Sequence, residues 1–114
     1  MSTNLGELPG SPAISVILPV FNEESHLVES ISAILTQDYL GQFDVILALG
    51  PSSDKTDEIA QNLAAKDERV KLIENPTGKT AAGLNLAIAA SSNPIIVRVD
   101  GHASIPVNYL SLVV

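Results

Sequence analysis

Asp100 and His102 stand at alternate positions where the β-branched run Pro94-Ile-Ile-Val-Arg-Val-Asp100 ends. Alternate residues leaving a strand can converge on one cation, and carboxylate and imidazole both suit a divalent metal. A turn aspartate and a surface histidine would have the same spacing, so both readings stand at this point. Lys79 follows Gly78. One or two cations are what an acidic protein would need to meet a small polyanionic ligand, while the alternative is a solvated lysine. Arg98 lies inside the same run as Asp100, and in a central strand it would require a carboxylate or a ligand. Glu24, His26 and Glu29 read as solvated helix residues and Asn85 as a helix-packing polar group.

Two phosphate-binding patterns fit poorly. No GxGxxG follows the first apolar run, which continues Pro19-Val-Phe-Asn-Glu-Glu24. Gly78-Lys79-Thr80 resembles the end of a P-loop, but the position five residues before Gly78 is Ile73, where that motif needs glycine.

The elements that must position these residues alternate. Ala13–Val20 is an apolar, β-branched run of the kind a doubly covered strand shows. Asn22 can cap a following helix, on which Leu27, Ile31, Ile34 and Leu35 share one face. Phe43–Leu49 is a second strand, broken by Gly50-Pro51. Ser53 or Asp54 can cap a second helix with Asp57 and Glu58 in its first turn, and Ile59 and Leu63 face inward. Val70–Glu74 is a third strand, Asn75-Pro-Thr-Gly78 a turn, and Thr80–Ala90 an alanine-rich helix with Leu84 and Ile88 inward. Pro94–Asp100 is a fourth strand, and Pro106 can open a last short helix. This order predicts an α/β fold: βαβ crossovers, a mostly parallel sheet and helices on both faces, with ligands at the carboxyl ends of the strands.

The 114 residues suit one domain. Six basic against 13 acidic side chains give a net charge of −7, which excludes a broad nucleic-acid surface. With no cysteine there is no disulfide, zinc-thiolate cluster or cysteine nucleophile. Residues 1–12 lack the basic and apolar regions of a secretory signal and read as a disordered lead-in. The longest uncharged run, Thr80–Val97, contains Gly83, Asn85, Asn93 and Pro94 and does not read as a membrane span. The chain is expected to be cytoplasmic.

Ile14-Ser-Val-Ile-Leu-Pro-Val-Phe-Asn-Glu-Glu24, Ser52-Ser-Asp-Lys-Thr56, Asn75-Pro-Thr-Gly-Lys79, Ala82-Gly-Leu-Asn85 and Val97-Arg-Val-Asp-Gly-His102 together resemble the family-2 glycosyltransferases. The last segment is most similar to the bacterial succinoglycan or exopolysaccharide type. The resemblance implies a GT-A fold that uses a nucleotide-diphospho-sugar and inverts the sugar centre. Asp100 and His102 then occupy the Asp-x-Asp metal position, with Mn2+ or Mg2+ as cofactor, and the histidine favours Mn2+. Pro19, Phe21 and Glu23 fall where the base and ribose are held, so Phe21 would stack and Glu23 accept a hydrogen bond; the alternatives are a buried aromatic and a first-turn glutamate. Lys79 and Asp100 complete the expected nucleotide contacts. The aspartate that usually ends the second strand is replaced by Leu49, which removes a base-reading acceptor, while Asp54 reads as a helix cap.

On this resemblance residues 13–114 are the nucleotide-sugar-binding half. The acceptor half and its general base are expected beyond Val114, so no catalytic residue is assigned. The implied partners are the sugar donor and a glycan or lipid-linked acceptor, in polysaccharide or cell-envelope assembly at the inner face of the membrane. Apolar surface left uncovered would favour homo-oligomers. Two other functions fit the same elements: a nucleotide-binding module without transfer, and an α/β interaction domain with no nucleotide site.

Overall fold

In the computed structural model, which describes residues 11–100 and 105–113, strand β1 (Ile14–Val20) is paired on both sides. Together with β2 (Phe43–Leu49), β3 (Val70–Glu74) and β4 (Ile95–Arg98) it forms a parallel sheet of order β3-β2-β1-β4. The connections are α1 (Leu27–Leu35), α2 (Thr56–Lys66) and α3 (Thr80–Ala90), and α4 (Tyr109–Val113) follows β4. The chain steps outward from β1 to β3, then returns through α3 to the other side of β1. With right-handed crossovers this reversal puts α3 on the opposite face from α1 and α2.

Alternation along the strands supplies both faces of the sheet. Ile14, Val16, Leu18 and Val20 join Val45, Leu47 and Val70 in one core with Leu27, Ile31 and Ile34 of α1, Ala60 of α2 and Leu110 of α4. Ile17, Ile46 and Ala48 face α3 through Ala87. Gln37 ties in α4: its Nε2 donates to Pro106 O at 2.6 Å, and its Oε1 accepts from Leu110 N at 2.9 Å.

At the amino ends of the strands, Asp44 is the hub. Ser15 Oγ donates to Asp44 Oδ1 at 2.7 Å, Lys71 Nζ donates to Oδ2 at 2.9 Å, and Ser91 Oγ donates to Ser15 Oγ at 2.8 Å. Asn93 Nδ2 donates to Ile14 O at 3.0 Å. Side chains from β1, β2, β3 and the α3–β4 loop thus close this edge.

Several expectations are corrected. The first helix begins at Leu27 with His26 at its cap, so Asn22 caps nothing; Asn22 has a left-handed φ of 49° and bonds to another loop. The cap of α2 is Lys55, and Asp54 accepts from Thr56 N one position inside the helix. Strand β4 is at the sheet's edge among the described residues, so Arg98 is half-exposed and needs no buried partner. Ile88 points outward, because α3 packs through Gly83 and Ala87. A helix apolar all round carries no periodicity to orient it; small residues set its facing by allowing close approach to the sheet. Of the lead-in, residues 1–10 lie outside the described residues, while Pro12 O accepts from Tyr39 Oη at 2.6 Å.

Close packing at Gly83 is directly testable. A Cβ there would lie 2.8 Å from Asn75 Nδ2 and 3.4 Å from Ala48 Cβ. Asn75 is buried and cannot swing away, since Nδ2 donates to Lys79 O at 2.9 Å and Oδ1 accepts from Thr77 Oγ1 at 2.9 Å. Overpacking costs about 1–3 kcal/mol and outweighs the roughly 1 kcal/mol gain in helix propensity. Gly83→Ala is therefore expected to lower the unfolding free energy in urea by about 1 kcal/mol. In the Gly83→Ala/Asn75→Ala double variant, the loss should be smaller than the sum of the singles.

Candidate functional site

Pro19 marks the place where the sheet opens. Ile95 N donates to Ala13 O at 3.4 Å and Val99 N to Ile17 O at 3.0 Å, so the odd-numbered residues of β1 direct their backbone groups toward β4. Pro19 is the next in that series and has no N–H to donate. Pairing with β4 accordingly stops at Arg98 opposite Ile17, whereas pairing with β2 continues to Val20 opposite Leu49. The gap between β1 and β4 is also where the strand order reverses, the position at which open parallel sheets bind ligands.

A cavity of about 300 Å³ occupies this gap, with Pro19, Phe21, Glu23, Asn75, Arg98 and Asp100 in its wall. Phe21 is 52% exposed, which removes the buried-aromatic alternative. Arg98 Nη2 donates to Asp100 Oδ1 at 3.4 Å, both side chains being half-exposed. On the far wall, Gly78 turns with φ +69°, a conformation that favours glycine. Thr77 Oγ1 accepts from Lys79 N at 3.1 Å in the same turn.

Phe21 and Glu23 are held by the neighbouring loop. Asn22 N donates to Ser52 Oγ at 2.9 Å, Glu23 N to Thr56 Oγ1 at 2.8 Å, and Glu24 N to Asp54 Oδ2 at 3.3 Å. In return Ser53 N donates to Asn22 Oδ1 at 2.8 Å and Lys55 N to Glu24 Oε1 at 3.1 Å. Glu24 is therefore a loop fastener and not a free surface charge. Asp54 Oδ1 also accepts from the Thr56 hydroxyl and, at 2.9 Å, from Thr56 N. The Thr56 hydroxyl, aided by the backbone N–H groups of Thr56 and Glu24, holds the Asp54 carboxyl below the usual carboxylate range.

Of the residues expected to bind, Pro19, Phe21, Glu23 and Asp100 meet at this cavity. Lys79 is exposed and outside its wall, and His102 lies outside the described residues. No three His, Asp or Glu side chains converge among the described residues, but Asp100 offers the hard oxygen that Mn2+ or Mg2+ takes. Sequence reasoning did not single out Asn75. The turn pattern around it was visible, but its burial and its contact with α3 were not. A larger cavity of about 430 Å³ lies behind Gly50-Pro51, between α2 and β3, with Asp57, Leu72 and Glu74 in its wall. The smaller one is the stronger candidate, because it sits at the strand reversal and gathers Asp100, Arg98 and Glu23.

Comparison with known proteins bears on these features together. The sequence profile described as Glycosyl transferase family 2 matches residues 15–114. The Bacillus subtilis protein EpsE is 41% identical over 92 residues, covering 79% of this chain and 33% of EpsE. The succinoglycan biosynthesis protein ExoA of Rhizobium meliloti is 34% identical over 99 residues, 82% of this chain and 29% of ExoA. The mannosyltransferase PcManGT from Pyrobaculum calidifontis, solved in complex with GDP-Man and Mn2+, shares 28% identity at a TM-score of 0.72, over 83% of this chain and 29% of that one. The chain thus spans about a third of the length of these relatives.

The Asp54 bonds give a pH signature. A carboxyl whose folded pKa is depressed stabilises the fold above its unfolded pKa, near 3.9, and that contribution is lost as pH falls through the folded value. Asp54→Asn should lower the melting midpoint at pH 7 and flatten its fall below about pH 4. Asp67, held low by hydrogen bonds from Arg69, should keep part of the acid slope in the variant. Equal slopes in the two proteins, measured by circular dichroism, would remove Asp54 from this account.

Proposed function

Because the chain belongs to glycosyl transferase family 2, we propose that the cavity between β1 and β4 receives a nucleotide-diphospho-sugar, for inverting sugar transfer in polysaccharide or cell-envelope glycan biosynthesis. The fold is of the GT-A type, a parallel four-stranded sheet flanked by helices. The observation that carries the reading is the meeting of an exposed aromatic ring, Phe21, with Glu23 and Asp100 where the strand order reverses.

In this reading Phe21 stacks on the base, Pro19 and the Glu23 carboxylate border the nucleoside, and Lys79 approaches the diphosphate from the rim. Asp100, with His102, would hold a divalent cation, Mn2+ or Mg2+. Such an ion, when bound, neutralises the charge that develops on the diphosphate as it leaves. The Mn2+ and GDP-Man of PcManGT support this assignment. The acceptor is a glycan or a lipid-linked molecule, met at the inner face of the membrane from the cytoplasm. No helix among the described residues is long and apolar enough to cross that membrane. Self-association through the apolar surface at Leu86, Ile88 and Ile96 belongs to the same proposal, with light scattering as its measure.

The test is a thermal melt with Mn2+ and UDP, GDP, ADP or TDP in turn. A ligand that binds only the folded state at a hundredfold excess over its dissociation constant adds about 2.7 kcal/mol of stability. One of the four should raise the midpoint in a Mn2+-dependent way, and Asp100→Ala should abolish the rise. A cooperative melt that none of them shifts would contradict a donor site in this chain.

A further inference from the structure

We propose that Arg98 is a ligand for the donor's diphosphate and that its guanidinium competes with a divalent cation for the Asp100 carboxylate. The inference rests on the donor-site reading above and adds a residue to it. Arg98 is the only basic side chain in the cavity wall among the described residues. It stands two positions before Asp100, and its Nη2 reaches Asp100 Oδ1 at 3.4 Å, well beyond the 2.7–2.9 Å typical of a strong charge-assisted bond. With side chains 52% and 54% exposed, the pair is open to water and salt and is easily broken.

The two groups have different natural partners. A carboxylate oxygen suits a divalent cation, and a planar guanidinium fork matches the oxygens of a phosphate. With a divalent cation held by Asp100, Arg98 would be free to turn toward a diphosphate in the same cavity. Arg98 therefore competes with the metal when no nucleotide is present and assists the nucleotide once the metal is bound, so its removal should act with opposite sign on the two ligands.

Wild type, Arg98→Ala and Arg98→Lys are titrated with Mn2+ alone, the free ion being counted by electron paramagnetic resonance. UDP, GDP, ADP and TDP are then titrated calorimetrically at saturating Mn2+. Arg98→Ala should bind bare Mn2+ about threefold more tightly and the preferred nucleoside diphosphate about tenfold more weakly. Arg98→Lys, which keeps the charge but not the fork, should fall between. If no variant takes up the bare ion, the nucleotide arm decides. Equal nucleotide affinity in wild type and Arg98→Ala, or a loss of affinity for both ligands, overturns the inference and leaves the donor site standing. A wild type that binds none of the four nucleotides overturns both.

Discussion

Three successive backbone N–H groups, those of Asn22, Glu23 and Glu24, are met by the side chains of Ser52 and Asp54 in the next βα loop and of Thr56, the first residue of α2. The candidate site depends on this fastening. A loop leaving the end of a strand has no ladder to satisfy its amides. That of Glu23 is part-buried, where an unpaired amide costs about 1–3 kcal/mol, while those of Asn22 and Glu24 are exposed. The acceptors here come from residues about thirty positions away in sequence, so satisfying the amides also fixes one loop against the other. Asn22 can return a bond to Ser53 because it adopts a left-handed φ of 49°, a conformation asparagine tolerates better than most residues. The result holds Phe21 exposed and Glu23 at the cavity without burying either in the core.

The two edges of the sheet divide the work. At the amino ends, Asp44 gathers Ser15, Lys71 and Asn93 into a network that closes the sheet with side chains. At the carboxyl ends, Pro19 withdraws the donor that would carry the β1–β4 ladder further, and the strands part. One edge is strong in bonds so that the other can be open. The cavity is thus a consequence of strand order together with one missing N–H, and Arg98 and Asp100 line it because β4 has no further partner on β1 at that height.

The elements were legible where the chain is punctuated. β2, β3 and α3 begin and end where expected because Gly50-Pro51, Asn75-Pro76 and Gly78 interrupt the apolar runs between them. The carboxyl-edge loops followed from element order, whereas the choice of Phe21, Glu23 and Asp100 within them rested on the family resemblance. What was hidden is long-range. No local pattern shows that Asn22 answers Ser53, that Glu24 answers Lys55, or that Asn75 sits beneath Gly83. Polar residues before a helix usually cap it, which is what the sequence suggests for Asn22 and Asp54; here the partners lie across the loops or just inside the turn. The facing of α3 was hidden for the opposite reason, since alanines on every side leave nothing to choose between.

Gly50, the residue that follows β2, is closely surrounded. A Cβ at that position would lie 3.2 Å from the Phe21 ring, 3.3 Å from Val20 O and 3.4 Å from Gly78 Cα. Gly50 N donates to Val20 O at 2.8 Å, which keeps the two strands together to their last residues. A larger residue would push on Phe21, on the backbone of β1 or on the Gly78 turn, all of which border the cavity. The Gly78 turn is pressed from the same direction, for its own Cβ would meet Pro51 at 3.1 Å. Leu49-Gly50-Pro51 is therefore the condition for bringing three loop ends together. On this side the cavity wall is built from Phe21 and close-packed backbone.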